Sequence, residues 1–414
     1  MSSHEHFPIK TSLILAHFAI NYLHVDKIDI LNKRVENVIN NRHVSTHILK
    51  VKLMRVDKNK PFNQLPSLPP EKEIESKSIL KKATFSHRYL AELKGIANTI
   101  PNQTILINSL ILQEARSSSE IENVVTTNDK LYKAFSSSAR SIDPQTKEVL
   151  RYRQALWTGY NRLKKRQVFS TNLFVDIFRI IKQTDEGIRT TPGTRVADGR
   201  GVIVYTPPEG ERVIRDKLGK LEEFIHNDRD NIDPLVKLAL IHYQFEAIHP
   251  FTDGNGRTGR IMNVLYLVYK KLLDLPILYL SQYVIRHKAE YYRLLRNVTF
   301  KEEWEPWINY SLEAIEKTSI KTKEKIVQIR DQFSKTLDNA RKRLPPNVYS
   351  KELIELLFEQ PYCKIQFVVD KGIAKRQTAS EYLKELERIG ILRKIKVGKE
   401  NLFLNKKLFE ILKN

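Results

Sequence analysis

Residues 248–260 read IHPFTDGNGRTGR and run directly into IMNVLYLVYKKLL (261–273). Ile261, Val264, Leu265, Val268 and Leu272 recur at helical spacing, which predicts a buried helix starting near Gly256. The first turn of a helix offers unpaired N–H groups and a partial positive charge. Gly254 and Gly256 carry no Cβ, so a ligand can approach that backbone closely. Arg257 and Arg260 stand three apart on the same first turn. Amides, dipole and two guanidinium groups are therefore expected to converge on one point, a site for a polyphosphate. Asp253, just before the cradle, is a hard carboxylate where Mg²⁺ would bridge protein and nucleotide. His249 ends the preceding helix, and an unperturbed pKa near 6.5 suits a general base. Taken singly, each residue fits a glycine-rich turn between two helices. Together, in this order, they read as base, metal ligand and phosphate cradle. The pattern is not a Walker loop, since the lysine and hydroxyl that would end one are missing.

Outward from this stretch the chain reads mostly as helix. NIDPLVKLALIHYQFEAI (231–248) opens on Asp233 as N-cap and Pro234 at the first helical position. GRGVIVYTPPEGE (199–211) carries the one clear β signal of the central region, around Val202–Tyr205, and predicts a hairpin. NKPFNQLPSLPPEKE (59–73) is proline-rich and reads as an extended strap. Residues 1–58 show no clean period and receive no role. RKRLPPN (341–347) marks a boundary, after which three helical runs and ILRKIKVGKENLFLN (391–405), two short strands around a tight turn, follow in winged helix-turn-helix order. The expected division is an extension over 1–58, strap and helices over 59–131, a core over 132–340 and a C-terminal domain over 341–414.

The chain has 414 residues, one cysteine (Cys363) and a formal net charge of +22. A single cysteine excludes a disulfide scaffold and a four-cysteine zinc site, and fits a reducing cytoplasm. No stretch reaches the roughly 18–20 apolar residues of a membrane helix, and TSLILAHFAINYL (11–23) lacks an obvious cleavage site, so neither a membrane partner nor a signal peptide is expected. The basic balance suits a polyanion, but it is spread over the whole chain. Residues 341–414 hold 17 Lys and Arg against 9 Asp and Glu. Lys375, Arg376 and Gln377 open the candidate recognition helix, and Lys394, Lys396 and Lys399 flank the wing. Two readings of this domain stand side by side, DNA binding and protein docking or homodimer assembly.

HPFTDGNGRTGR (249–260) resembles the signature of the Fic family at every specified position. The similarity extends through LPSLPP, PNQTILINSLILQEARSSSEIENVVTT, YTPPEGE, HYQFEAIHPF, LYLSQYVIRHKAEYYRLL and WEPWINYSLEAIE, covering roughly residues 60–320. The resemblance implies a mainly α fold, a Fic-type helical core with a β-hairpin flap, and a small C-terminal winged helix-turn-helix domain found in this subgroup. It implies transfer of AMP from ATP to a Ser, Thr or Tyr hydroxyl of a target protein or of the chain itself, with release of pyrophosphate.

Carried over by position, His249 would deprotonate the acceptor and Asp253 would hold Mg²⁺. Gly254, Asn255 and Gly256 would form the anion hole, Arg257 would support the phosphates and Arg260 would hold the γ-phosphate. Thr258 and Gly259 fall within the same implied nucleotide site, and Phe251 would anchor the loop in the core. Val204, Tyr205 and Thr206 would form the flap that docks the target by strand addition. Tyr291 and Tyr292 fit an adenine pocket and core packing alike.

SSSEIEN (117–123) resembles the family's inhibitory motif, with Ser118, Glu122 and Asn123 in its specified places. The resemblance implies that Glu122 pairs with Arg260 where the γ-phosphate would sit, so that ATP binds unproductively. Three alternatives remain open at this point: removal of AMP, another Fic-type transfer of a phosphate-containing group, and a DNA-binding regulator whose Fic core senses nucleotide.

Overall fold

The structure is a computed structural model that describes residues 56–136, 142–398 and 400–413. The 1–58 extension, but for its end, and Lys399 of the wing lie outside the described residues.

Two buried helices lie at the centre. Helix α7 (Pro234–Ile248) is apolar on every side, as a helix enclosed by others must be. The Asp233 carboxylate accepts from Leu235 and Val236 N–H at 2.8 and 3.3 Å, and Pro234 needs no partner at the first position. Helix α8 (Asn255–Tyr269) starts where the periodicity predicts and is buried over most of its length. The two are joined by residues 249–254, so the signature loop is the hinge between the two most enclosed helices.

Around them pack α1 (Lys77–Ala97), α2 (Thr104–Ile121), α3 (Asn128–Ser136), α4 (Pro144–Arg166), α5 (Thr171–Lys182) and α6 (Glu211–His226). After α8 come α9 (Ser281–Arg286), α10 (Lys288–Lys301) and the long α11 (Trp304–Arg343). Ile79, Ala83, Leu90, Leu93 and Ala97 recur three to seven apart along α1 and bury one stripe, against α11. The Ser86 hydroxyl within that contact donates to the Leu312 carbonyl at 2.9 Å.

The central β signal forms a smaller hairpin than expected. Strand β1 (Val196–Ala197) pairs antiparallel with β2 (Ile203–Tyr205), so the first strand precedes the glycines. Asp198 Oδ1 accepts from the Arg200 and Val202 N–H groups and Gly201 adopts φ 77°, which fixes Asp198–Val202 as the turn. The strap is tied to this hairpin: Phe62 N–H donates to the Thr206 carbonyl at 3.1 Å, and Asn63 Oδ1 accepts from Glu209 N–H at 2.7 Å.

Beyond Arg343 the order is α12 (Lys351–Glu359), β3 (Tyr362–Cys363), α13 (Ile365–Asp370), α14 (Arg376–Arg388), β4 (Arg393–Val397), β5 (Glu400–Leu404) and α15 (Lys406–Lys413). The sheet is antiparallel with β5 between β3 and β4. Three helices followed by two strands match the order read from the sequence, with β3 and α15 as the two elements it did not announce. Tyr362 donates to Asp129 of α3 at 2.5 Å, and Asn102 to Glu359 of α12 at 2.9 Å, so these elements are docked on the helices that precede the core. Lys375, Arg376, Gln377, Lys394 and Lys396 are exposed. Among the described residues no helix is long and apolar enough to cross a membrane.

Candidate active site

His249 caps α7 in the left-handed region, at φ 50° and ψ 59°, with its N–H on the Phe245 carbonyl at 3.0 Å. A β-carbon is disfavoured there by roughly 1 kcal/mol or more, so neighbouring contacts must hold it. Arg189 does so from the loop after α5: its Nε donates to the His249 carbonyl at 2.8 Å, and its guanidinium also donates to the Pro208 carbonyl. The Arg189 N–H donates to the Pro250 carbonyl at 2.9 Å. Phe251 is fully buried and stacks on Phe178, with ring centroids 4.2 Å apart. The Asn255 amide clamps the loop from the other end, accepting from Phe251 N–H at 2.9 Å and donating to its carbonyl at 2.8 Å. Enclosure in protein, and after it the nearby Arg189 charge, pull the His249 pKa down to about 4. At neutral pH the imidazole is therefore uncharged and able to accept a proton.

Helix α8 begins without a side-chain cap. Gly254 stands at the N-cap position with φ 77°, where a β-carbon would be strained. No acceptor among the described residues takes the N–H of Asn255, Gly256 or Arg257; the first helical bond runs from Thr258 N–H to the Gly254 carbonyl. A β-carbon on Gly256 would lie 2.5 Å from Glu122 Oε1 and 2.8 Å from a terminal nitrogen of Arg260. Open amides, bare backbone and a guanidinium thus meet at Gly256, the composition of an anion cradle.

The two arginines do not converge as the sequence suggested. Arg257 is almost fully buried and bonds Glu148 of α4, and its Nε has no partner. Arg260 turns toward α2 instead. Its Nε donates to Ser118 Oγ at 2.8 Å, and its Nη2 donates to the Ser118 carbonyl at 2.9 Å and to Glu122 Oε1 at 2.7 Å. Burial disfavours the Arg260 charge, but the Glu122 carboxylate outweighs it and holds the guanidinium firmly protonated. Glu122 caps α2, and the Lys288 ammonium pins that end by donating to the Ile121 carbonyl at 2.5 Å and to Asn123 Oδ1 at 3.5 Å.

Glu246 lies one turn before His249, and burial raises its pKa to about 7 against the pull of Arg260. Asp253 is the exposed carboxylate of the site, with Lys182 Nζ 2.5 Å from its Oδ2 and Arg257 at 3.9 Å. Burial would raise its pKa, but the lysine lowers it on balance. Among the described residues no group of three or more His, Cys, Asp or Glu could form a metal cage. If a Mg²⁺ ion sat beside this cradle, taking its other ligands from phosphates and water, the exposed Asp253 carboxylate would be the residue to hold it, in competition with Lys182.

The other expected site residues are more enclosed. Tyr291 is enclosed: it is 2% exposed, its hydroxyl is 2.8 Å from His242 Nε2, it packs against Trp307 and Tyr310, and it lines a small cavity together with Arg260. The cavity beside it measures about 30 Å³, room for about one water. Tyr292 is half-buried and close enough to Arg260 and Glu122 to feel both charges. Thr258 is fully buried, and a β-carbon on Gly259 would strike Glu246 and Phe245, so these two serve the α7–α8 contact. The side chains of Tyr205 and Thr206 point inward, to the Ala247 and Lys58 carbonyls, leaving Val204 as the half-buried position between them. Lys182, Arg189 and Glu148 were not singled out in the sequence. Each acts across 60 to 109 residues, and no local pattern marks such a partner.

A helical core with a buried α7–loop–α8 unit, a histidine on the loop and an uncapped, glycine-flanked helix start define the Fic class of fold. Models of the Fic/DOC family N-terminal region and of the Fic/DOC family match residues 80–161 and 169–267, and one for the C-terminal domain of SoFic-like protein adenylyltransferases matches 333–408. The chain belongs to the Fic/DOC family. It is 32% identical over 124 residues to the protein adenylyltransferase fic-1 of Caenorhabditis elegans, which is 30% of this chain and 22% of that protein. It is 26% identical over 183 residues to the probable protein adenylyltransferase aq_aa38 of Aquifex aeolicus, 43% of this chain and 54% of that protein. The matched stretches thus span less than two thirds of either relative. A Fic family protein from Desulfovibrio desulfuricans superposes with a TM-score of 0.52 at 18% identity, over 81% of this chain and 98% of that one, a likeness of fold.

Proposed function

We propose that the chain transfers AMP from ATP to a hydroxyl side chain of a protein, releasing pyrophosphate, and that Glu122 holds this activity back. The observation that carries the reading is the rigid 249–256 loop, which joins an uncharged imidazole to the uncapped start of α8.

In this reading the open amides of Asn255, Gly256 and Arg257 receive the phosphates, with Arg260 supplying charge at the far end. His249 takes the proton of the acceptor hydroxyl. The hydroxyl oxygen bonds to the α-phosphorus, the bond from that phosphorus to the bridging oxygen of the β-phosphate breaks, and pyrophosphate leaves. Negative phosphates near the imidazole would raise its pKa from about 4 toward the working range of a base. Asp253 would hold a Mg²⁺ ion, whose chemistry there is to neutralise phosphate charge. Arg257, bound to Glu148, contributes its backbone amide and braces the turn. Residues 59–131 serve as strap and inhibitory helices, 132–340 as the catalytic core and 341–414 as an appended winged helix-turn-helix domain.

The brake follows from electrostatic competition. Arg260 is buried and needs an anion; Glu122 is that anion now, and the γ-phosphate is the competitor. Mass spectrometry of cell lysate treated with the Glu122→Gly protein and Mg-ATP tests the proposal. Peptides heavier by one AMP moiety on Ser, Thr or Tyr are expected; their absence from both lysate proteins and the enzyme would refute it.

A further inference from the structure

Away from the signature, α2, α9, α11 and α15 line a recess of about 220 Å³ that opens to solvent. None of residues 248–260 lines it, nor does Ser118 or Glu122. Three cations do: Arg286 of α9 and Lys321 and Lys325 of α11. A fourth, Arg116 of α2, is near enough for its charge to act on Lys325 and on Tyr279, another lining residue, whose hydroxyl bonds Ser117 Oγ at 2.8 Å. One carboxylate, Glu324 of α11, lines the same recess.

Arg286 and Lys321 are exposed at the mouth of this recess, whereas Arg116 and Lys325 are half-buried. Among the described residues none of the four forms an ion pair. The Arg116 Nε is buried without a partner. Lys325 is half-buried with its ammonium on Gln113 Oε1 at 2.9 Å. Burial, then Arg116 and Arg286, lower its pKa to about 8, and burial with Arg286 lowers that of Lys321. Like charges gathered in a recess repel one another at the expense of the empty protein, unless a counter-charge enters.

We infer that this cavity is a second anion site, built for a compact phosphate anion of two or more charges. Four cations less one carboxylate leave an excess that a single chloride would not match. Guanidinium and ammonium groups converging on one small space are the usual donors to phosphate oxygens. The Gln282 and Gln328 side chains add polar groups to the lining.

Calorimetric titration of the full chain with sodium pyrophosphate and with inorganic phosphate, at ionic strength matched by sodium chloride, tests this. Binding is expected that Lys325→Gln with Arg286→Gln weakens at least tenfold and that Arg260→Gln, at the signature cradle, leaves in place. Binding unchanged by the double substitution, or none beyond chloride, would overturn the inference. A melting measurement separates a site from a structural cluster. In phosphate-free buffer Lys325→Gln should melt at or above the parent temperature, and phosphate should raise the parent only. A variant that melts lower without phosphate would show that Lys325 supports the fold instead.

Discussion

Arg260 Nη2 lies 2.7 Å from Glu122 Oε1, and Arg260 Nε lies 2.8 Å from Ser118 Oγ, so one buried guanidinium joins the signature helix to the end of α2. Residues 138 and 142 positions apart in sequence meet at the point where Gly256 leaves no room for a β-carbon. Removing Glu122 opens that point while leaving Arg260 in need of an anion. Glu122→Gly is therefore expected to raise AMP labelling at least tenfold. Ser118→Ala, which removes one hydrogen bond of about 1–2 kcal/mol, should raise it by less. Labelling with radioactive ATP measures both, and equal rates for parent and Glu122→Gly would contradict the brake.

Gly256→Ala offers a test of the cradle itself. In the Glu122→Gly background the added methyl no longer meets the carboxylate, but it still meets Arg260 at 2.8 Å. Labelling should fall at least tenfold while the melting temperature changes little. Retained labelling would mean that the phosphates do not approach this backbone.

Lys182 sits where it would contest a cation at Asp253. An ion pair with one exposed partner is worth up to about 1 kcal/mol. Lys182→Ala, again with Glu122→Gly, should lower the half-saturating Mg²⁺ concentration up to about fivefold. A rise in that concentration would instead give the lysine a supporting role in the site.

Burial and the neighbouring Arg260 charge pull the His242 pKa down to about 3. The unfolded chain binds a proton at this residue near pH 6.5, and the folded chain does so only near pH 3. Stability from this group is complete above about pH 6.5 and is lost as pH falls toward 3. Between pH 7 and pH 5 the loss is about 2 kcal/mol. His242→Gln should be less stable at pH 7 but should flatten the decline in urea midpoint between pH 7 and 5. An unchanged slope would assign the decline to other groups, such as His249, whose pKa is also pulled down.

Much of the site is legible in the sequence because its parts are local. The start of α8, the Asp233 cap and the His249–Asp253–Gly254–Gly256 order all lie within a short run, governed by helix periodicity and capping. Ser118 and Glu122 became legible through a motif resemblance, since an isolated glutamate on a helix has no distinguishing pattern. The rest depends on tertiary placement. Arg257 reads as a phosphate ligand, and only the fold sets Glu148 against it; Tyr291 fits a pocket wall and the core alike, and only the fold surrounds it with His242, Trp307 and Tyr310. The hairpin moved because the glycines that flag a strand end serve here as its turn.

The position of the isotope that reaches protein gives the most direct test of the central claim. Glu122→Gly protein is incubated with Mg-ATP labelled at the α- or the γ-phosphate, alone and with lysate, beside Glu122→Gly/His249→Ala. The account predicts protein labelling from the α position only, reduced at least a hundredfold by loss of His249. Labelling from the γ position, or equal α labelling without His249, would contradict it.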